Sequence, residues 1–247
     1  MEKKAKTRGQ NVKTAITSKS ARKITQYGLL LSIMVLMTLF PIGFIKLGIV
    51  EATLMHIPVI VGAMLFGVKG GAFFGFCFGA ASLINGFISP TALSMALLGS
   101  NSPDGFGMYN LFLVIVIIFI PRVLVGIIAA LVYKPFLKKP KRALGAALCA
   151  AAGSLTNTVL VLSLIYLLAR DLFAAAVGIT AADVASVLFT VTGVFNGIVE
   201  IICAVSVAVP VSEALRISNN NKVYDRTHKS VVRAQVIEAE NEKSDNE

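Results

Sequence analysis

The chain has no tryptophan, two histidines and three cysteines in 247 residues, and only 15% of it is charged. Each shortage excludes something. A charged share that low, against about 25% in soluble domains, combines with 56% hydrophobic residues and a mean hydropathy of +0.79 to rule out a water-soluble globule. Cys77, Cys149 and Cys203 each sit in an apolar run and form neither a C-x-x-C pair nor a short secreted framework. They read as small packing residues, with no disulfide or metal site expected. The chain also lacks H-E-x-x-H, G-x-S-x-G and the G-x-x-x-x-G-K-[ST] phosphate loop. It is therefore not expected to be an enzyme, to carry a cofactor or to act as its own nucleotide motor. Acids are scarce as well: 13 Asp and Glu face 23 Lys and Arg, a net charge of +10 that in a soluble protein would first suggest nucleic acid.

What is present is long apolar runs. Six candidate spans fall at 27–46, 52–68, 70–88, 110–133, 143–168 and 184–210, each to be compared with the roughly 20 residues that cross a hydrocarbon core of about 30 Å. The first begins after a 26-residue basic tail and is too long for a signal-peptide core, so it reads as a retained helix. Gly67, Lys69, Gly70 and Gly71 separate the second span from the third, glycine supplying turn geometry and the charge marking a return to water. The positive-inside rule tests this count. Eight Lys and Arg lie before the first span, one at Lys69, five from Lys134 to Arg142 and six after the last span, twenty in all on one side. The opposite loops hold only Lys46 and Arg170, and Arg122 lies within a span. The expected fold is an all-α, six-transmembrane-helix bundle with both termini cytoplasmic. Its parts are a basic N-terminal tail (1–26), a membrane domain (27–212) and a disordered C-terminal tail (213–247). The basic excess then becomes a topology signal facing anionic inner-leaflet lipid, and no nucleic-acid partner is expected. Tyr27, Tyr109, Tyr133 and Tyr166 fall near span ends and read as an aromatic belt.

Polar residues at bilayer depth are costly and point to function by default. The chain has Arg122 in the fourth span, Asn157 in the fifth, Asn196 and Glu200 in the sixth, and His56 and Asn85 nearer the span ends. Asn196 and Glu200 stand four apart and share a helix face. Pro121 lacks the N–H that would bond the carbonyl four residues earlier, so a kink is expected beside Arg122. One reading of Arg122 and Glu200 is an interhelical ion pair. The other is a polar pocket where Arg122 meets an anionic ligand group and the asparagines bond hydroxyls or amides. The connections 89–109 and 170–183 would cover such a pocket. Small residues four apart (Gly71, Gly75 and Gly79; Gly145, Cys149 and Gly153) make flat stripes for close packing, and Gly28 with Ser32 forms a similar pair in the first span.

Several of these stretches resemble a known family. His56 to Ala72, Gly75 to Ile84, Pro121-Arg122-Val-Leu-Val-Gly126, Gly153-Ser-Leu-Thr-Asn-Thr158 and Asn196-Gly-Ile-Val-Glu200 are similar to the substrate-binding S components of energy-coupling factor (ECF) vitamin transporters, most of all the pantothenate-type branch. The resemblance implies a bacterial plasma-membrane protein that captures a vitamin and works with a transmembrane coupling protein and two cytoplasmic ATPases. It implies pantothenate as the vitamin, with folate and riboflavin as other candidates, and substrate binding by Arg122, Asn157, Asn196, Glu200, Asn85 and His56. Members dock the coupling protein through two small residues of the first helix, which here correspond to Gly28 and Ser32. Two readings from other classes stand beside it: a secondary transporter using Glu200 as a proton relay, and a non-transporting scaffold.

Overall fold

A computed structural model describes residues 2–40, 43–46, 51–90, 94, 108–137, 141–194 and 196–214, with side chains from residue 21 onward except at 45, 46, 51, 52, 191 and 192. Most of the 89–109 connection and everything after residue 214 lie outside the described residues.

Helix α1 (Glu2–Leu39) takes in the basic N-terminal stretch and the start of the first apolar run. It stops two residues before Pro41, whose ring disfavours a helical residue ahead of it. The first span was expected to run to residue 46. Instead, Phe44–Lys46 (β1) pairs antiparallel with Glu51–Thr53 (β2), Phe44 opposite Thr53. This short ribbon, two strands of three residues in an otherwise helical protein, delivers the chain to α2.

Helix α2 (His56–Ile88) is broken at Gly67, whose φ of 71° and ψ of −159° suit glycine alone. The chain folds back there. A Cβ on Gly62 would run into the Phe74 ring, and one on Gly71 would lie 3.1 Å from the Ala63 Cβ, so the two arms pack side by side as a helical hairpin. The break expected between the second and third spans is this turn. Tyr27 of α1 stacks beside it, 4.0 Å from Phe66 and 5.2 Å from Phe74 between ring centroids.

Helix α3 (Met108–Phe136) has a π-helical turn at Ile115–Phe119, directly ahead of Pro121. Helix α4 (Arg142–Leu168) matches the fifth predicted span to within a residue. A short α5 (Arg170–Val177) ends at Gly178, in the left-handed conformation with φ 73°. The sixth span was expected to be one helix over 184–210. The structure gives a turn at Val184–Ser186, a π-helical stretch at Val187–Val194 and then α6, Asn196–Ala214. Among the described residues, four helices, α2, α3, α4 and α6, are long and apolar enough to cross a membrane.

Three buried apolar clusters hold these elements together. One joins the first arm of α2 to Ala129 and Tyr133, Cys149 and Ala150, and Ala204 and Ala208. A second joins Leu113 and Ile117 to Leu162, Ile165, Phe173 and Leu188. The third sets α1 and the ribbon against α2, through Leu30, Met34, Phe44, Val59, Phe74 and Phe78. Tyr133 is buried inside the first cluster, so it is not part of an aromatic belt. Cys149 is buried as expected, and all three cysteines are free thiols.

Candidate functional site

Along α4, the apolar face passes from Ala150 in one cluster to Leu162 in another, and between them come Ser154, Asn157 and Thr158. Along α6, the buried residues recur every fourth position: Asn196, Glu200, Ala204, Ala208 and Ser212. The polar start of that stripe meets the polar interval of α4. Two apolar clusters thus enclose a polar layer.

The ribbon supplies the third wall. The Thr53 backbone N–H donates to Glu200 Oε1 at 2.9 Å, and Asn157 Nδ2 donates to Thr53 Oγ1 at 3.5 Å. The Thr158 hydroxyl donates to Glu200 Oε2 at 3.1 Å, its hydrogen shared with the Ser154 carbonyl 3.3 Å away. His56, the first residue of α2, is fully buried and lies three residues after Thr53 in the chain. Neither of its ring nitrogens has a hydrogen-bond partner among the described residues, and the same holds for Asn157 Oδ1 and the Ser154 hydroxyl. Buried polar atoms without partners cost about 1–3 kcal/mol each.

Arg122 lies on α3 against the second arm of α2. Pro121 has no N–H for the Ile117 carbonyl, and Arg122 Nη1 donates to that oxygen at 3.1 Å. Its guanidinium sits over the Phe78 ring, 5.4 Å from the centroid. Phe78 belongs to the same buried cluster as Met55 and Val59, which flank His56 in sequence. The guanidinium is within Coulombic reach of the Glu200 carboxylate.

Of the residues predicted from sequence, His56, Asn157 and Glu200 come together around Thr53, and Asn196 lies one turn away on the buried face of α6. Asn85 is buried near the end of α2. It stands ten residues, about 15 Å of helix, beyond the Gly75 that touches Arg122. Asn110, buried at the start of α3 with its Nδ2 unpartnered, was not singled out. Thr53 and Thr158 were also missed. Sequence separations of 104 and 147 residues divide Thr53 from its partners, and nothing local marks it. Thr158 at least adjoins Asn157 and stands one turn from Ser154. Gly28 and Ser32 lie on the exposed face of α1: a Cβ on Gly28 would meet nothing within 4 Å, and the Ser32 hydroxyl donates to the Gly28 carbonyl at 2.8 Å.

The described residues thus place a buried polar layer inside an apolar helical bundle. Residues 22–212 match the model of a family described as "ECF transporter, substrate-specific component", and the chain belongs to that family. It is a membrane transport protein. One relative is the "Pantothenic acid transporter PanT" of Lactococcus lactis subsp. cremoris (strain MG1363), 34% identical over 178 residues that make up 70% of this chain and 81% of its relative.

Proposed function

We propose that the chain is the substrate-capturing subunit of an ECF-type importer and that its vitamin is pantothenate. The observation that carries this reading is the polar layer with its unpartnered His56 nitrogens and Asn157 Oδ1, in a chain similar to a relative named for pantothenic acid. Pantothenate offers one carboxylate, two hydroxyls and an amide. Arg122 takes the carboxylate, since a guanidinium matches it with paired donors. Asn157, Asn196 and His56 bond the hydroxyls and amide, Glu200 lines or supports the site, and Asn85 acts at its far end.

The reading carries a topology of six passes with both termini cytoplasmic. The fold-back at Gly67 supports it, because it makes α2 two passes with Lys69 at their turn; the twenty Lys and Arg on one side support it as well. A transmembrane coupling protein and two cytoplasmic ATPases complete the importer and supply the energy that this chain has no phosphate loop to harvest. The open surface at Gly28 and Ser32 is the docking face for the coupling protein.

Two measurements test the reading. Native mass spectrometry of the purified protein is expected to show co-purified pantothenate. Cells carrying the whole module are expected to take up radiolabelled pantothenate and to lose that uptake with Arg122→Ala combined with Asn196→Ala. Uptake that survives the double substitution sinks the site, and uptake by the purified chain alone in liposomes under a proton gradient sinks the ECF reading.

A further inference from the structure

Glu200 looks like a ligand-facing carboxylate until its bonds are counted. Both oxygens accept from the protein, and from two different elements: Oε1 from the Thr53 N–H of β2 and Oε2 from the Thr158 hydroxyl of α4. The Thr53 side chain is held in turn by Asn157. The end of the ribbon is thereby tied to α4 and α6 at a point where Thr53, Asn157 and Glu200 are each 5% exposed or less. Three residues further on, the chain enters α2 at the fully buried His56, whose ring nitrogens have no hydrogen-bond partner among the described residues. His56, Asn157 and Ser154 carry the buried atoms of this layer that have no partner among the described residues, whereas each Glu200 oxygen already accepts a bond from the protein.

We infer that Glu200 is a positioning residue: with Thr158 it latches Thr53, and so fixes the ribbon end and the His56 imidazole over the substrate site. This rests on the reading of the polar layer as that site. A hydrogen bond between a backbone N–H and a buried carboxylate is charge-assisted and among the stronger ones a fold makes, so one bond is enough to hold a three-residue strand. The carboxylate neither carries a proton through the cycle nor contacts substrate. An amide oxygen of the same shape accepts the same N–H.

Two readouts on Glu200→Ala, Glu200→Gln and Thr158→Val test the latch. Hydrogen exchange of the peptide covering 51–56, measured without substrate, is expected to speed up about tenfold or more at Thr53 in E200A, less in T158V, and to return towards wild type in E200Q. Radiolabelled pantothenate is expected to dissociate about tenfold faster from E200A, with E200Q recovering most of the lost residence time. Unchanged Thr53 exchange in both E200A and T158V overturns the latch, and so does an E200Q protein as deficient in binding as E200A. If E200A yields no folded protein, T158V and E200Q carry the same comparison. If the wild-type protein does not bind pantothenate, the functional reading fails, and the exchange measurement still decides the latch.

Discussion

The seam between α2 and α3 and the layer between the ribbon, α4 and α6 are both buried, and they are built in opposite ways. At the seam, Gly71 and Gly126 lie so close that a Cβ on either would overlap the other's carbonyl, and one on Gly75 would overlap the carbonyl of Arg122. Backbone touches backbone, with no side chain between. In the polar layer, the elements are joined by three side-chain bonds around Thr53 and Glu200, and several polar atoms remain unsatisfied. The seam gains from dispersion at close approach. The layer leaves buried polar atoms of His56, Asn157 and Ser154 without a partner among the described residues, which costs stability. One region is a frame and, in the function proposed above, the other is a receptacle; Arg122 has its backbone in the seam and its guanidinium over Phe78.

The largest effect is expected at the frame. Gly126→Val forces α2 and α3 apart and should cost about 3 kcal/mol, seen as a fall in the thermal unfolding midpoint in detergent; an unchanged midpoint would mean that the helices do not touch there. Arg122→Ala should weaken pantothenate binding tenfold to a hundredfold, the loss expected for a charged hydrogen bond. Arg122→Lys should not restore it, since an ammonium lacks the planar fork; calorimetric titration of the three proteins decides. The receptacle should answer differently. His56→Leu replaces two unpartnered nitrogens with apolar atoms and is expected to leave stability unchanged or raise it by about 1 kcal/mol while pantothenate binding falls. Parallel losses of both would make His56 a structural residue like those of the seam. The smallest effect is at Gly28, where a methyl group meets only open space: Gly28→Ala should raise stability by less than about 1 kcal/mol through helix propensity. A drop in the unfolding midpoint would place that face inside the bundle.

Sequence legibility divides along the same line. The frame was readable because its signals are local. Glycines four apart announce a close-packed stripe, Gly67 to Gly71 a reversal, and Pro121 a disturbed helix, and the structure has Gly67 at positive φ and a π turn ahead of Pro121. The receptacle was half readable. A polar residue in an apolar run stands out by cost alone, which found Asn157, Asn196, Glu200 and His56. Thr53 gives no such signal, because threonine is ordinary near a short strand and its importance comes from partners far along the chain. The ribbon itself was hidden because the apolar runs were read as helix up to residue 46 and again from residue 52, although Pro41 and Gly43 lie within the first. The sixth span was read as continuous for the same reason: apolar composition does not distinguish α from π winding.

Pro121 and Arg122 also form a self-contained unit. The proline withholds a donor from the Ile117 carbonyl, and the adjacent guanidinium supplies one. Part of the aim of the charge is thus written into the helix that carries it. A guanidinium tethered to its own helix is pre-oriented, at a smaller entropy loss on capture than a freely rotating arginine would incur. Such a dipeptide is transferable: placed in another apolar helix, it would bring its own anchor and point its charge in the same direction.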